Sequence, residues 1–282
     1  MLVKNKHTTK LKAIVIVLIV LLLILSVLGI KFLIDSFKPD IYKVDSRIKN
    51  IKEEQKKDNS LYVKTIGWVK VQGTKIDTPI IYYYGDDEGS KTDENADADH
   101  YIKKENYVWN MNSKEKLFNK VSIMGHNLLN LSTHPDVSLK HFSRFDDLMA
   151  FVYYDHIKDN KYIQYTIDGK NYIYKIYSVE FVNYYKLDLY SDSNYTKKEK
   201  DKFINDTKKN SIYDFDVSVN NKDKFISLIT CTRFFGDNDK INFRVNARLV
   251  RKGEKLKNYG VKVNKKYSKV KKILEGEENE EV

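Results

Sequence analysis

Cysteine is all but missing from this 282-residue chain, which has one, Cys231. An intrachain disulfide is therefore excluded, and a lone thiol is unusual in an exported domain, where unpaired thiols oxidise or cross-link. Arginine is scarce beside lysine, and no runs interleave arginine, glycine and aromatic residues. The net charge of +11, less Lys4, Lys6, Lys10 and Lys12, falls to +7. It reads as a basic exterior facing an anionic envelope, and nucleic acid is not an expected partner. Ordered acidic spacing is missing too. Gly85–His100 is rich in Asp and Glu but lacks the spacing and central glycine of a calcium loop, so it reads as a solvated loop. No metal and no cofactor is expected, and no internal repeat is present.

Charge of either sign is absent from Ala13 to Ile30, a stretch long enough to span a bilayer core as a helix. Residues 13–34 are expected to be an uncleaved membrane anchor. The apolar core is longer than a typical signal segment, and no small-x-small cleavage site follows it. The preceding lysines place residues 1–12 in the cytoplasm and the rest of the chain outside a cell membrane crossed once.

Beyond the anchor, residues 35–60 form a linker. Within it Ile41, Val44, Ile48 and Ile51 are spaced for one face of a helix over 39–58, with Pro39 at its start. Residues 61–252 read as a mainly β domain with helices. Ile66–Val71 and Ile76–Tyr82 alternate as strands around a Gly73-Thr74 turn, and Val121–Met124 is a short strand ending in Gly125-His126-Asn127. Val137–Tyr154 reads as mostly helical. Asp168-Gly169 joins two strands, Tyr162–Ile167 and Tyr172–Val182, as a hairpin. Thr196-Lys197-Lys198-Glu199 has capping-box spacing and predicts a surface helix to about Lys208. Lys224–Thr230 and Ile241–Val250 are the last two strands, and residues 253–282 form a charged tail, peripheral or disordered.

Cys231 follows the apolar run Phe225–Thr230. A retained thiol there points to nucleophilic attack on a carbonyl, with a buried small hydrophobe at a strand end as the alternative. A thiol nucleophile needs a basic neighbour. His7 is cytoplasmic, His100 lies in the acidic loop, and His134, His141 and His156 fall in or beside the helical region. His134 and His141 are seven apart but lack a third metal ligand. His126 ends a strand after a glycine and before an amide side chain, a placement suited to a catalytic imidazole. An oxyanion stabiliser is also required. Arg233, Arg244 and Arg248 all follow Cys231, and Arg244 lies nearer the loop than Arg248 on the same strand face.

Leu228-Ile229-Thr230-Cys231-Thr232, followed by an arginine-bearing strand, resembles the active-site signature of the sortases. Gly125-His126-Asn127 resembles their histidine motif, and Gly67–Pro79 their opening hairpin. The resemblance covers roughly residues 40–252 and is strongest to class B. It implies an α+β fold, a closed β-barrel of about eight strands, with an N-terminal helix and a helical insertion near Tyr195–Asn210 walling the substrate groove. It implies a cysteine transpeptidase in which Cys231 attacks a threonine carbonyl in the sorting motif of a surface protein, giving a thioacyl enzyme. His126 would protonate the leaving amine, then deprotonate an acceptor amine of a peptidoglycan precursor or a pilin. The family's arginine opens the last strand five residues before a small residue. Counting back from Ala247 reaches Asn242, with Arg244 two further on, so Arg244 is the expected third catalytic residue if the strand slides or bulges, and Arg233 the fallback. Ile229 stands where class B often has a small polar residue. A cysteine peptidase and an inert binding module remain competing expectations.

Overall fold

The structure is a computed structural model that describes residues 6–36, 47–58, 63–83, 108–110, 117–137, 145–183, 194–236, 240–269 and 271. Ile41, Val44, the acidic segment 85–100, His141 and the acidic C-terminus lie outside the described residues. The chain divides into two compact units, Met1–Lys43 and Val44–Val282.

The first unit contains α1 (Lys6–Ser36). Its segment Lys12–Ile30 is 19 residues long with mean hydropathy 3.5 and is unburied. At about 1.5 Å per residue it is long enough to cross a bilayer core. A membrane anchor and a signal sequence share that length and composition.

The second unit opens with α2 (Arg47–Gln55), which buries Ile51 as the apolar spacing requires. Then come β1 (Val63–Val71), β2 (Asp77–Tyr83), β3 (Val108–Asn110) and β4 (Lys120–Gly125). A 3-10 helix (Asp146–Val152) and the single-turn α3 (Tyr154–Ile157) precede β5 (Tyr162–Ile167) and β6 (Lys170–Asn183). The remainder is α4 (Lys197–Asn210), β7 (Tyr213–Phe215), β8 (Phe225–Cys231), β9 (Ile241–Leu249) and β10 (Val261–Val263).

Seven strands form one strongly curled sheet in the order β2-β1-β5-β6-β9-β8-β4. The expected closed barrel of about eight strands takes this coarser form. Among the described residues β2 and β4, its edges, do not pair with each other. The three-residue β3 lies between them, with two residue pairs to each. Side chains alternate across the pleat. Val121, Ile123, Ile226, Leu228, Phe243, Val245 and Ala247 point into the core, while Met124, Ile229 and Val182 form a small apolar cluster on the other face. The Asp168-Gly169 turn joins β5 to β6, with φ of 52° and 64°. Both values lie in the left-handed region that a two-residue hairpin demands and that Asp-Gly tolerates.

Three expectations change. The helical reading of Val137–Tyr154 gives way, in its described part, to the 3-10 helix. Asp146 Oδ1 accepts from the Leu128 amide at 2.7 Å and Asp147 Oδ2 from the Lys75 amide at 2.6 Å. These buried carboxylates therefore serve distant backbone donors and lie off any solvent face. The surface helix after Thr196 has its capping box, but α4 runs on to Asn210 and buries Lys200, Phe203, Ile204 and Thr207. The segment after Lys252, expected as a peripheral tail, supplies β10, which pairs with β7. Glu254 there accepts from Arg248 at 2.6 and 2.7 Å and from Lys175 at 2.7 Å. Those bonds hold its carboxyl well below the ordinary range, and a charge held this way is not a disordered tail.

Asp147 and His156 make opposite contributions to acid stability. Burial raises Asp147 to about 6 from 3.8, against the backbone hydrogen bond from Lys75. Burial lowers His156 to about 4 from 6.5. For Asp147 the folded state holds the proton more tightly, so its contribution to stability grows as pH falls from 6 towards 4. For His156 the unfolded state holds the proton more tightly, so stability is lost over much the same window. The two terms, each on the order of 2–3 kcal/mol, oppose one another. Denaturant titrations between pH 4 and 6.5 should show Asp147→Asn losing stability more steeply on acidification than the parent, and His156→Gln losing it less steeply or gaining. Parallel profiles for all three proteins would refute this account.

Candidate active site

Strands β4 and β8 run parallel and pair in unbroken register from Lys120 opposite Phe225 to Gly125 opposite Thr230. The next residue on each strand is His126 on one and Cys231 on the other. The backbones are about 5 Å apart at this edge, and both side chains belong to exposed residues. Thr230 Oγ1 donates to the Gly125 carbonyl at 2.7 Å. Asn127 Nδ2 donates to the carbonyls of Cys231 and Asn130, both at 3.0 Å. Asn130 in turn donates from its backbone to Asn127 Oδ1 at 3.0 Å, and the Arg233 amide donates to the Leu131 carbonyl at 2.9 Å. The loop after the histidine and the loop after the cysteine are thereby stitched together by short polar bonds.

Phe181, Phe234, Phe235 and Phe243 pack as an aromatic cluster with centroids 4.7–5.2 Å apart, which supports the Cys231 loop from beneath. Of the other histidines, the two described in this unit do not join the site. His134 is exposed, beside Thr133, and His156 packs edge-on against Phe151. Among the described residues no group of three His, Cys, Asp or Glu is placed to hold a metal.

The arginine does not stand where the strand had to slide to put it. β9 pairs β8 without a shift, which sets Cys231 opposite Asn242 and Ile229 opposite Arg244. Arg244 shares the face of Cys231 one pleat further along. Its Nε and Nη2 donate to one oxygen of buried Glu180 at 3.0 and 2.9 Å. Its guanidinium carbon lies 5.7 Å from the Phe203 ring centre. Asn246 Nδ2 donates to the same Glu180 oxygen at 2.7 Å. Burial pushes the Glu180 carboxyl up, against the Arg244 charge and hydrogen bonds from Asn246, Arg244 and Asn210. Arg233 is exposed on the loop, and Arg248 is engaged with Glu254. Glu180 and the Asn127 bond to Cys231 were not foreseen from sequence, although one charged residue inside Tyr177-Ser178-Val179-Glu180-Phe181-Val182 was a signal for the first.

A groove runs over this sheet face beside α4, lined by Val182, Tyr195, Phe203, Arg244 and the helix side chains Glu199 and Lys202 among others. Cys231 and His126 are outside that lining. The groove meets their sheet face at Val182, which pairs with Asn242, and at Arg244, which pairs with Ile229.

The sortase domain family matches residues 69–250, which take in this curled sheet and the paired strand ends that carry the histidine and the cysteine. The chain belongs to the sortase family of cysteine transpeptidases. It is similar to sortase B of Staphylococcus aureus (strain NCTC 8325 / PS 47), 24% identical over 181 residues, which are 62% of this chain and 66% of that relative. The chain thus spans just under two thirds of that relative's length. Its fold is like the X-ray structure of Clostridium perfringens sortase B, with a TM-score of 0.52 at 21% identity over 71% of this chain and 100% of the other. It is equally like a sortase B complexed with triglycine, with a TM-score of 0.53 at 17% identity over 78% and 95%.

The Arg244–Glu180 pair is buried, with side-chain exposures of 8% and 0%. Arg244→Ala strands a buried carboxylate and should cost roughly 3–5 kcal/mol. The double variant Arg244→Met/Glu180→Gln should recover most of that loss. Urea unfolding measures both, and a loss below about 1 kcal/mol for Arg244→Ala would show that the pair is not what holds this face.

Proposed function

We propose that this chain is a membrane-anchored, class B-like sortase that cleaves a sorting motif at a threonine carbonyl and transfers the acyl group to an amine. Cys231 is the nucleophile. His126 gives a proton to the leaving amine and takes one from the incoming amine. Arg244 supplies positive charge on the same sheet face, one pleat from the strand position facing the thiol. The observation that carries the reading is the parallel register of β4 and β8, which sets Gly125 beside Thr230 and so the histidine beside the cysteine. Residues 13–34 act as the anchor, with residues 1–12 cytoplasmic and the 61–252 catalytic domain outside the cell. Residues 35–60 link the two, and the 253–282 segment follows the domain.

The substrates are surface proteins bearing a C-terminal sorting motif. The acceptor is an amine of a peptidoglycan precursor or of a pilin. The triglycine complex of a related sortase B favours a glycine-type amine among these. A thioester keeps the acyl group activated, so the transfer requires no ATP.

Incubating the extracellular part with a panel of sorting-motif peptides should yield an adduct on Cys231 by intact mass. Triglycine should convert that adduct to a new amide product. Cys231→Ala should abolish the adduct, and His126→Ala should reduce turnover about 10²–10⁴-fold. Hydrolysis indifferent to any added amine would make the protein a peptidase instead. Absence of adduct with every peptide, together with ordinary thiol reactivity, would leave a binding module.

A further inference from the structure

Asn242 is the first polar side chain of β9 and is 1% exposed. It faces Cys231 on one neighbouring strand and Val182 on the other. Its Nδ2 is buried and has no hydrogen-bond partner among the described residues. An amide donor left without an acceptor inside a protein is a costly arrangement, and its persistence calls for a reason. Arg244, by contrast, spends its Nε and Nη2 on Glu180. Directly opposite residues on antiparallel strands have Cβ atoms about 4.5–5.5 Å apart, so the Asn242 amide is the side chain of β9 nearest the thiol.

We infer that Asn242 is the oxyanion donor of the acyl-transfer reaction and that Arg244 acts behind it as fixed positive charge. This rests on the reading of Cys231 as the nucleophile. When the Cys231 sulfur, its proton passed to His126, bonds to the substrate carbonyl carbon, the carbonyl π pair moves onto oxygen, and the Asn242 Nδ2–H donates to that oxyanion. Asparagine χ2 has broad, nearly two-fold freedom, so a half-turn of the carboxamide presents the amino group to the thiol side. When the tetrahedral adduct collapses, the C=O bond re-forms and the C–N bond breaks, and the departing nitrogen takes its proton from His126. The charge on oxygen exists only between these two events. A neutral donor with no ground-state partner therefore acts mainly in the transition state, which is where an interaction raises the rate of the chemical step.

The test uses p-nitrophenyl acetate as acyl donor and iodoacetamide as control, at a pH where the thiol reaction rate has reached its plateau. Acylation of Cys231 passes through an oxyanion, whereas alkylation displaces iodide and forms none. Asn242→Ala and the near-isosteric Asn242→Leu should acylate about 10²–10³-fold more slowly than the parent, with alkylation rates within about twofold. Arg244→Lys should show a smaller acylation loss than either. The inference is overturned if a folded Asn242 variant acylates within about threefold of the parent, or if acylation and alkylation fall together. It is likewise overturned if Arg244→Lys alone collapses acylation. If nitrophenolate release is the same in Cys231→Ala, the nucleophile reading itself fails, an outcome distinct from the loss of Asn242 alone.

Discussion

Everything at the candidate site depends on β4 and β8 being parallel. Six residue pairs hold them in register, from Lys120 and Phe225 to Gly125 and Thr230. At about 3.3 Å per residue, an antiparallel arrangement of the same strands would put His126 and Cys231 roughly 20 Å apart, at opposite ends. Parallel neighbours require a long crossover. Here it takes up the 3-10 helix, α3, β5, β6, α4 and β7, the elements between the two strands in the chain. The hairpin β5–β6 also places β6 against β9, so the crossover builds the wall that carries Glu180 and Val182. The Asn127 bond to the Cys231 carbonyl fixes the strand ends beyond the last pair, where a sheet would otherwise fray.

The outer face of the sheet beside the site is unusually polar for a buried surface. Ser178, Glu180, Ser227, Asn246 and Arg244 alternate with core residues along three strands, and Ser227 Oγ donates to Asn246 Oδ1 at 2.7 Å. α4 covers much of this layer. Its Thr207 carbonyl accepts from Ser178 at 2.8 Å, and Phe203 lies under the cations of Arg244 and Lys120 at 5.7 and 5.6 Å. The helix therefore docks through a mixture of ring faces and backbone acceptors, with only Phe203 and Ile204 as large apolar anchors. A purely apolar interface would offer nothing to the Glu180 carboxylate, and an unpaired charge at that depth is far more costly than the polar contacts that surround it.

The strands, the Asp-Gly hairpin and the capping box were legible because each is written in local terms. Alternation, turn chemistry, a cap three residues from its glutamate and a thiol at the end of an apolar run can be read without knowing what touches what. The 3-10 helix was not legible. Its spacing mimics an amphipathic helix, and only the amides of Leu128 and Lys75 reveal why Asp146 and Asp147 are buried. Glu254 misled for a related reason, since a glutamate in a lysine-rich segment looks solvated until Arg248 and Lys175 are found facing it. Strand register lies between these cases. The five-residue offset from Ala247 pointed to Asn242, and the unbroken pairing of β8 with β9 leaves no bulge that would bring Arg244 opposite the cysteine.

That register alters the electrostatics expected at the thiol. An arginine directly across from Cys231 would place a formal charge beside both the thiolate and the later oxyanion. In this chain the neighbour is a neutral amide, and the Arg244 charge one pleat away is paired with buried Glu180. The pair presents a dipole to the site, whose field falls off faster with distance than that of a lone cation. On the proposed mechanism that arginine stabilises a thiolate correspondingly less, and the thiol proton falls to His126. Hydrogen bonding to the oxyanion is affected less, because it depends on a donor at contact distance more than on net charge. On the proposed reading the site separates two tasks: His126 manages the proton, and β9 supplies the donor.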